Sequence, residues 1–139
     1  MRAVLDTCVF LSALRSSGGA SFEILRLLRL GRWKMVLSNH LIHEYEEIGK
    51  RDAFELGLTL ADIDALLDGL CRMAEAHVLT HGWRPVLHDP DDEPLVQLAS
   101  ESDANIIVTH NVRHLRPARA LGIMVMTPRA FLKELRKQS

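Results

Sequence analysis

The sequence predicts one α/β domain, a three-layer α/β/α sandwich with a central parallel sheet. Three observations carry this. Four short apolar runs, near residues 2–9, 35–37, 106–108 and 124–126, have the length of buried strands. Stretches with apolar residues at helical spacing separate them, as right-handed βαβ crossovers require. The 139 residues, 47% hydrophobic and 25% charged, contain no repeat and no Pro/Gly linker, so a single domain over 1–139 is expected. Folding at this size removes about two-thirds of the unfolded chain's surface from water, so the core needs neither disulfides nor a structural metal.

The elements follow in order. Arg2 to Val9 reads as a strand interrupted by Asp6, with a turn at Ser16-Ser17-Gly18-Gly19. Ala20 to Leu30 spaces Phe22, Ile24, Leu25, Leu27 and Leu28 as a helix, and Gly31 suits the position just past its end. Met35 to Leu37 is a second strand, and Ser38 caps a helix running through Leu41, Ile42, Tyr45 and Ile48 to Gly49. A helical turn after Asp52 precedes a helix from Leu60 to Glu75, capped by Thr59 with Asp62 in an acidic capping box. A brief apolar piece at Val78-Leu79 and turns from Pro85 to Pro90 lead to a helix from Asp92 to Ser102 that buries Leu95, Val96, Leu98 and Ala99. Ile106 to Val108 and Met124 to Met126 are the third and fourth strands. Thr127 and Pro128 supply the cap and first residue of the last helix.

Seventeen basic and eighteen acidic residues give a net charge of −1, which argues against nucleic-acid binding by bulk positive charge. The charges are segregated, however. Residues 1–34 hold six bases and two acids, residues 35–104 four and fifteen, and residues 105–139 seven and one. Cys8 and Cys71 lie in apolar stretches without CxxC spacing, so buried free thiols in a reducing compartment are expected. An acid at the sixth residue excludes a secretory leader, and no apolar run approaches the ~20 residues that span a membrane. A cytoplasmic protein without membrane contact is the expectation.

In parallel sheets, ligands bind outside the carboxyl ends of the strands. Asp6 falls at such an end, in an apolar run where an unpaired ionisable group is costly. Glu44 lies in the second turn of the helix after strand two. Asp92 opens the helix before strand three, amid Asp89, Asp91 and Glu93, and Asn111 follows that strand. Convergent carboxylates need a cation, and oxygen-only donors suit Mg²⁺ or Mn²⁺ and phosphodiester chemistry. Simpler readings stand beside this one: acids cap helix starts, and Glu44 with Glu46 and Glu47 forms a solvated face.

The combination of Val4-Leu5-Asp6-Thr7-Cys8-Val9, Ser38 with Glu44-Tyr45, Asp89-Pro90-Asp91-Asp92 and Val108-Thr109-His110-Asn111 resembles the PIN-domain family. Within it the likeness is closest to the VapC-like toxin ribonucleases of bacterial toxin–antitoxin systems. The resemblance implies a metal-dependent endoribonuclease, with Asp6, Glu44 and Asp92 as ligands for Mg²⁺ or Mn²⁺. It places Thr7, Ser38 and Thr109 as small hydroxyl residues lining the site, with Asn111 beside them. It further implies an RNA substrate, a cognate antitoxin and a homodimer. Two residues depart from the family pattern: Cys8 stands where Asn is usual, and Asn111 where many members have a fourth Asp. Losing that acid would loosen a second metal and leaves open a PIN-like domain that binds or regulates without efficient cleavage. Asp89, Asp91 or Glu93 could stand in for it.

Other groupings admit further readings. His40, His43 and Glu44, with His88 or His110, could form a zinc site, although the spacing is not H-E-x-x-H. His110, Arg113, His114 and Arg116 read as a basic loop able to contact phosphates, Arg113 foremost, or as a solvated loop. Arg129, Lys133, Arg136 and Lys137 read as a solvated face or as a guide for a polyanion. With 5% aromatic residues, Trp33 and Trp83 read as closing core edges, not as a stacking platform.

Overall fold

A computed structural model describes residues 1–138. The chain runs β1 (Arg2–Leu5), α1 (Thr7–Arg15), α2 (Ala20–Arg29), β2 (Lys34–Leu37), α3 (Asn39–Arg51), α4 (Ala53–Leu56), α5 (Leu60–Met73) and β3 (Glu75–Ala76). A 3₁₀ turn at Pro90–Asp92 leads into α6 (Glu93–Glu101), followed by β4 (Ile106–Val108) and α7 (Val112–Leu115). A second 3₁₀ segment (Arg116–Leu121), β5 (Met124–Met126) and α8 (Pro128–Lys137) complete it.

All strand pairings are parallel, in the order β3-β2-β1-β4-β5. The chain builds outward from β1 through β2 to β3, then crosses back to lay β4 on the other side of β1. That reversal makes the β1/β4 seam a topological switch point, where a crevice opens at the carboxyl edge. The register pairs Val4 with Ile107 and Leu5 with Val108, and the Asp6 N–H extends the ladder by donating to the Val108 carbonyl at 2.9 Å. α6 packs across β1, β2 and β4, while α2 packs between α1 and α8. The result is the expected three-layer α/β/α sandwich.

The central strands are buried throughout: Ala3, Val4, Leu5, Ile107 and Val108 are all fully inaccessible. Phe10 of α1 stacks on Tyr45 of α3 with ring centroids 4.6 Å apart, and the Tyr45 hydroxyl donates to the Leu5 carbonyl. This contact welds two helices to β1 beneath Asp6. Gly49 permits the close approach of α3 to its neighbours, since a Cβ there would meet Ile63 Cγ2 at 3.4 Å and Phe10 Cε2 at 3.6 Å. α2 ends as expected: Gly31 adopts φ +74°, its N–H reaches the Leu28 carbonyl at 2.9 Å, and the Arg32 N–H reaches Leu27 at 3.0 Å. Ser38, Thr59 and Thr127 all cap their helices, and Thr59 with Asp62 forms the reciprocal box.

Several expectations are corrected. β1 stops at Leu5, and the residues read as its continuation form α1. Thr, Cys, Val and Phe favour strands locally, but the helix sets Val9, Phe10 and Ala13 on one buried face. A fifth strand, Glu75–Ala76, pairs with β2, whereas Val78 is 82% exposed and belongs to no strand. Cys71 is exposed and Cys8 half-buried, so neither is the deeply buried thiol expected. The Arg113–Arg119 stretch is α7 and a 3₁₀ segment, not an open loop.

Candidate active site

Asp6 leaves β1 at the switch point and serves as the residue before α1, its carbonyl accepting from Val9 N–H at 2.9 Å. Its carboxylate is nearly buried, at 9% exposure. Across the seam, Thr109 follows β4 fully buried and donates from Oγ1 to Asp6 Oδ2 at 2.7 Å. The same Thr109 oxygen accepts from the Asn111 N–H at 2.9 Å. Thr109 therefore fixes one carboxylate oxygen of Asp6 from a fully buried position. Cys8 Sγ lies 3.8 Å from the same hydroxyl, and burial, then the neighbouring Asp6 charge, pushes its thiol pKa up.

Glu44 enters from α3. Ser38 starts that helix by accepting from the Leu41 N–H at 3.1 Å, which sets the turn on which Glu44 sits. Thr7 Oγ1 donates to Glu44 Oε1 at 2.6 Å, tying the first residue of α1 to α3 across 37 residues of sequence. Thr7 too is buried, at 6%, so its hydroxyl positions Glu44. Tyr45, next in the chain, faces inward. Burial, then the Asp6 and Glu44 charges, raises its phenol well above the ordinary tyrosine range.

Asp92 ends the 3₁₀ turn and begins α6. Together with Asp6, Glu44, Ser38, His40 and Asp91 it lines one narrow cleft at the carboxyl edge of the sheet. Partial burial, followed by the charges of Asp6, Asp89, Glu44 and Asp91, raises its pKa to about 6. Its neighbours in sequence do other things. Asp89 Oδ1 accepts from the Asp91 N–H at 2.9 Å and so closes the 3₁₀ turn. Glu93 is 7% exposed and faces away, accepting from Trp83 Nε1 at 2.9 Å, Val86 N–H at 2.7 Å and Leu87 N–H. Glu93 therefore latches the 83–87 loop onto α6 and cannot replace a missing fourth acid. Asp91 lines the cleft beside Asp92.

Asn111 precedes α7 and is exposed, as is Arg113; neither lines the cleft. His110 is held at the rim, its Nε2 2.7 Å from Ser12 Oγ of α1. Ser12 was not singled out from the sequence, because its contact with His110 joins segments distant in sequence. The zinc set does not assemble: His43 sits 4.0 Å from Glu46, and His110 is on Ser12.

Among the described residues, no three His, Cys, Asp or Glu side chains are drawn together as a ready metal-ligand group. The donor chemistry nevertheless fits a hard dication. Asp6, Glu44 and Asp92 offer carboxylate oxygens to the cleft, two of them oriented by buried hydroxyls, and the third has its proton affinity raised by burial and then by its acidic neighbours. Mg²⁺ keeps several waters and takes only one or two carboxylates directly, so no closed cage is required.

Fold and cleft thus define a class: parallel α/β domains with acidic residues gathered at the switch point of the sheet. A family model described as PIN domain matches residues 2–113, and the chain belongs to the PIN-domain family. PIN domains are generally nucleases and typically use divalent metal ions. No curated protein matches the chain.

Proposed function

We propose that this protein is a Mg²⁺- or Mn²⁺-dependent endoribonuclease that hydrolyses RNA phosphodiester bonds, acting as the toxin of a toxin–antitoxin pair. The observation that carries the reading is the meeting of Asp6, Glu44 and Asp92 on one cleft, where burial first and then the facing acids raise the pKa of Asp92 to about 6. These three residues would hold the metal, with Asp91 beside them. The bound ion supplies an acidified water and polarises the phosphoryl group. Thr109 and Thr7 keep one oxygen of Asp6 and one of Glu44 turned to fixed hydrogen bonds, so the remaining oxygens stay available. Ser38 forms part of the wall, and Arg113 with Asn111 on the exposed shoulder would meet the phosphate and orient water.

The resemblance to toxin ribonucleases supports a cognate antitoxin that covers the cleft, and a homodimer. The free thiols of Cys8 and Cys71 suit the cytoplasm. No helix among the described residues is long and apolar enough to cross a membrane. The test is cleavage of single-stranded RNA during Mn²⁺ titration. Wild-type protein should cut, and Asp6→Asn should cut at least about a hundredfold more slowly, more than loss of an outer-shell partner costs. Binding without cleavage at any metal concentration would refute the nuclease reading and leave a regulatory RNA-binding domain. That alternative draws on the neutral, exposed Asn111.

A further inference from the structure

A second feature lies outside the cleft. α8 carries Arg129, Lys133 and Arg136 at i, i+4 and i+7, a spacing that aligns them on one face, and all three are exposed. They line a groove of about 540 Å³ whose opposite wall is Ser17, Gly18 and Gly19 of the connection between α1 and α2, with Ala20 at the start of α2. That wall is free of bulk: a Cβ built on Gly18 would meet nothing within 4 Å. Glu23 is the acid on the groove, and Arg26 already grips it through contacts of 2.9 and 2.5 Å. Glu134 on α8 pairs with Lys137 at 3.3 Å. Arg129 and Lys133 form no salt bridge among the described residues.

The placement relates the groove to the cleft. α8 starts directly after β5, whose last residue pairs with Val108 at the carboxyl edge, so Arg129 stands at the same end of the sheet as Asp6 and Thr109. α1 begins beside Asp6 and ends at Arg15, two positions before Ser17, where the groove's loop segment begins. Its nine residues make a rod about 14 Å long, pinned midway to the rim by the Ser12–His110 contact.

We propose that the groove between the Ser17–Ala20 segment and α8 binds the phosphate backbone of single-stranded RNA flanking the scissile bond, an inference that rests on RNA being the substrate. Arg129 and Lys133 each take a phosphate, and the small loop residues leave room for the sugar. Phosphate contacts fix register without reading bases.

Anisotropy of a labelled single-stranded RNA, measured in EDTA across a salt series, tests this. Each phosphate contact on a single strand contributes about 0.7 to the slope of log K against log salt, so Arg129→Glu/Lys133→Glu should lower the slope by about 1.4. Affinity at low salt should fall at least tenfold. Arg129→Gln/Lys133→Gln should give the same slope change without reversing charge. Lys34→Glu/Arg72→Glu alters exposed cations on β2 and α5, away from the groove, and should leave the slope unchanged. Wild-type protein that does not bind, an unchanged slope in the groove variants, or an equal loss in the control pair overturns the proposal. The nuclease reading fails separately, through absence of metal-dependent cleavage by wild-type protein that still binds.

Discussion

Replacing Asp92 by Asn should stabilise the metal-free protein above pH 6. The native pKa of Asp92 is raised from 3.8 to about 6, by burial first and then by the facing acids. Between those values the folded state holds a proton that the unfolded chain has released, so stability falls as pH rises through the window and stays lowered above it. At about 1.4 kcal/mol per unit the shift corresponds to about 3 kcal/mol, and solvent screening at this half-exposed carboxylate halves it to about 1.5. Loss of the carboxylate's attraction to the α6 N-terminus offsets about 0.5 kcal/mol. The net gain of about 1 kcal/mol raises the Tm by about 3–5 °C for a domain of this size. Thermal unfolding in EDTA measures it: the variant's advantage should be absent near pH 3, below both values, and full near pH 7.5. Added Mn²⁺ should then reverse the order, since wild-type protein gains stability by mass action, about 2.7 kcal/mol at a hundredfold excess over Kd. Parallel curves for the two proteins across pH would refute the argument that these acids oppose one another.

Two further substitutions separate positioning from contact. Thr109→Val strands the buried Asp6 Oδ2 and the Asn111 N–H. It should cost about 2–3 kcal/mol and weaken Mn²⁺ binding about 10–100-fold by calorimetry, while Thr109→Ser restores the affinity. Glu93→Ala removes the acceptor for Trp83, Val86 and Leu87. It should cost about 2–3 kcal/mol, speed amide exchange at 86 and 87, and red-shift the Trp83 emission; unchanged exchange would show that the loop is held by other means.

The strands at 35–37, 106–108 and 124–126 were legible as apolar runs, although the last, at the sheet edge, buries only Val125, and the caps at Ser38, Thr59 and Thr127 were legible as local hydrogen-bond chemistry. α1 was not, because the residues after Asp6 prefer extended structure and only the packing of Phe10 on Tyr45 decides for a helix. β3 was not, because two residues, one of them charged, carry no hydrophobic signal, and their pairing with β2 is set by the end of α5. The acids of the cleft could be ranked from the rim rule and the family pattern. Their partners could not, since Thr7 to Glu44 and Thr109 to Asp6 span 37 and 103 positions. Adjacent acids with opposite fates, Asp92 on the cleft and Glu93 sealed beneath a loop, differ by the direction in which one turn of helix faces them.

That sealed carboxylate sets a rule for how the neighbouring loop can vary. Two of the three protons it accepts belong to the backbone at Val86 and Leu87, and only Trp83 contributes a side chain. The clasp itself asks of positions 86 and 87 only an amide hydrogen, which excludes proline, while the side chains of Val86 and Leu87 pack against the core and keep those two positions apolar. The loop's outer surface is thus free to drift in sequence while Asp92, one residue from the clasp, keeps its place at the cleft.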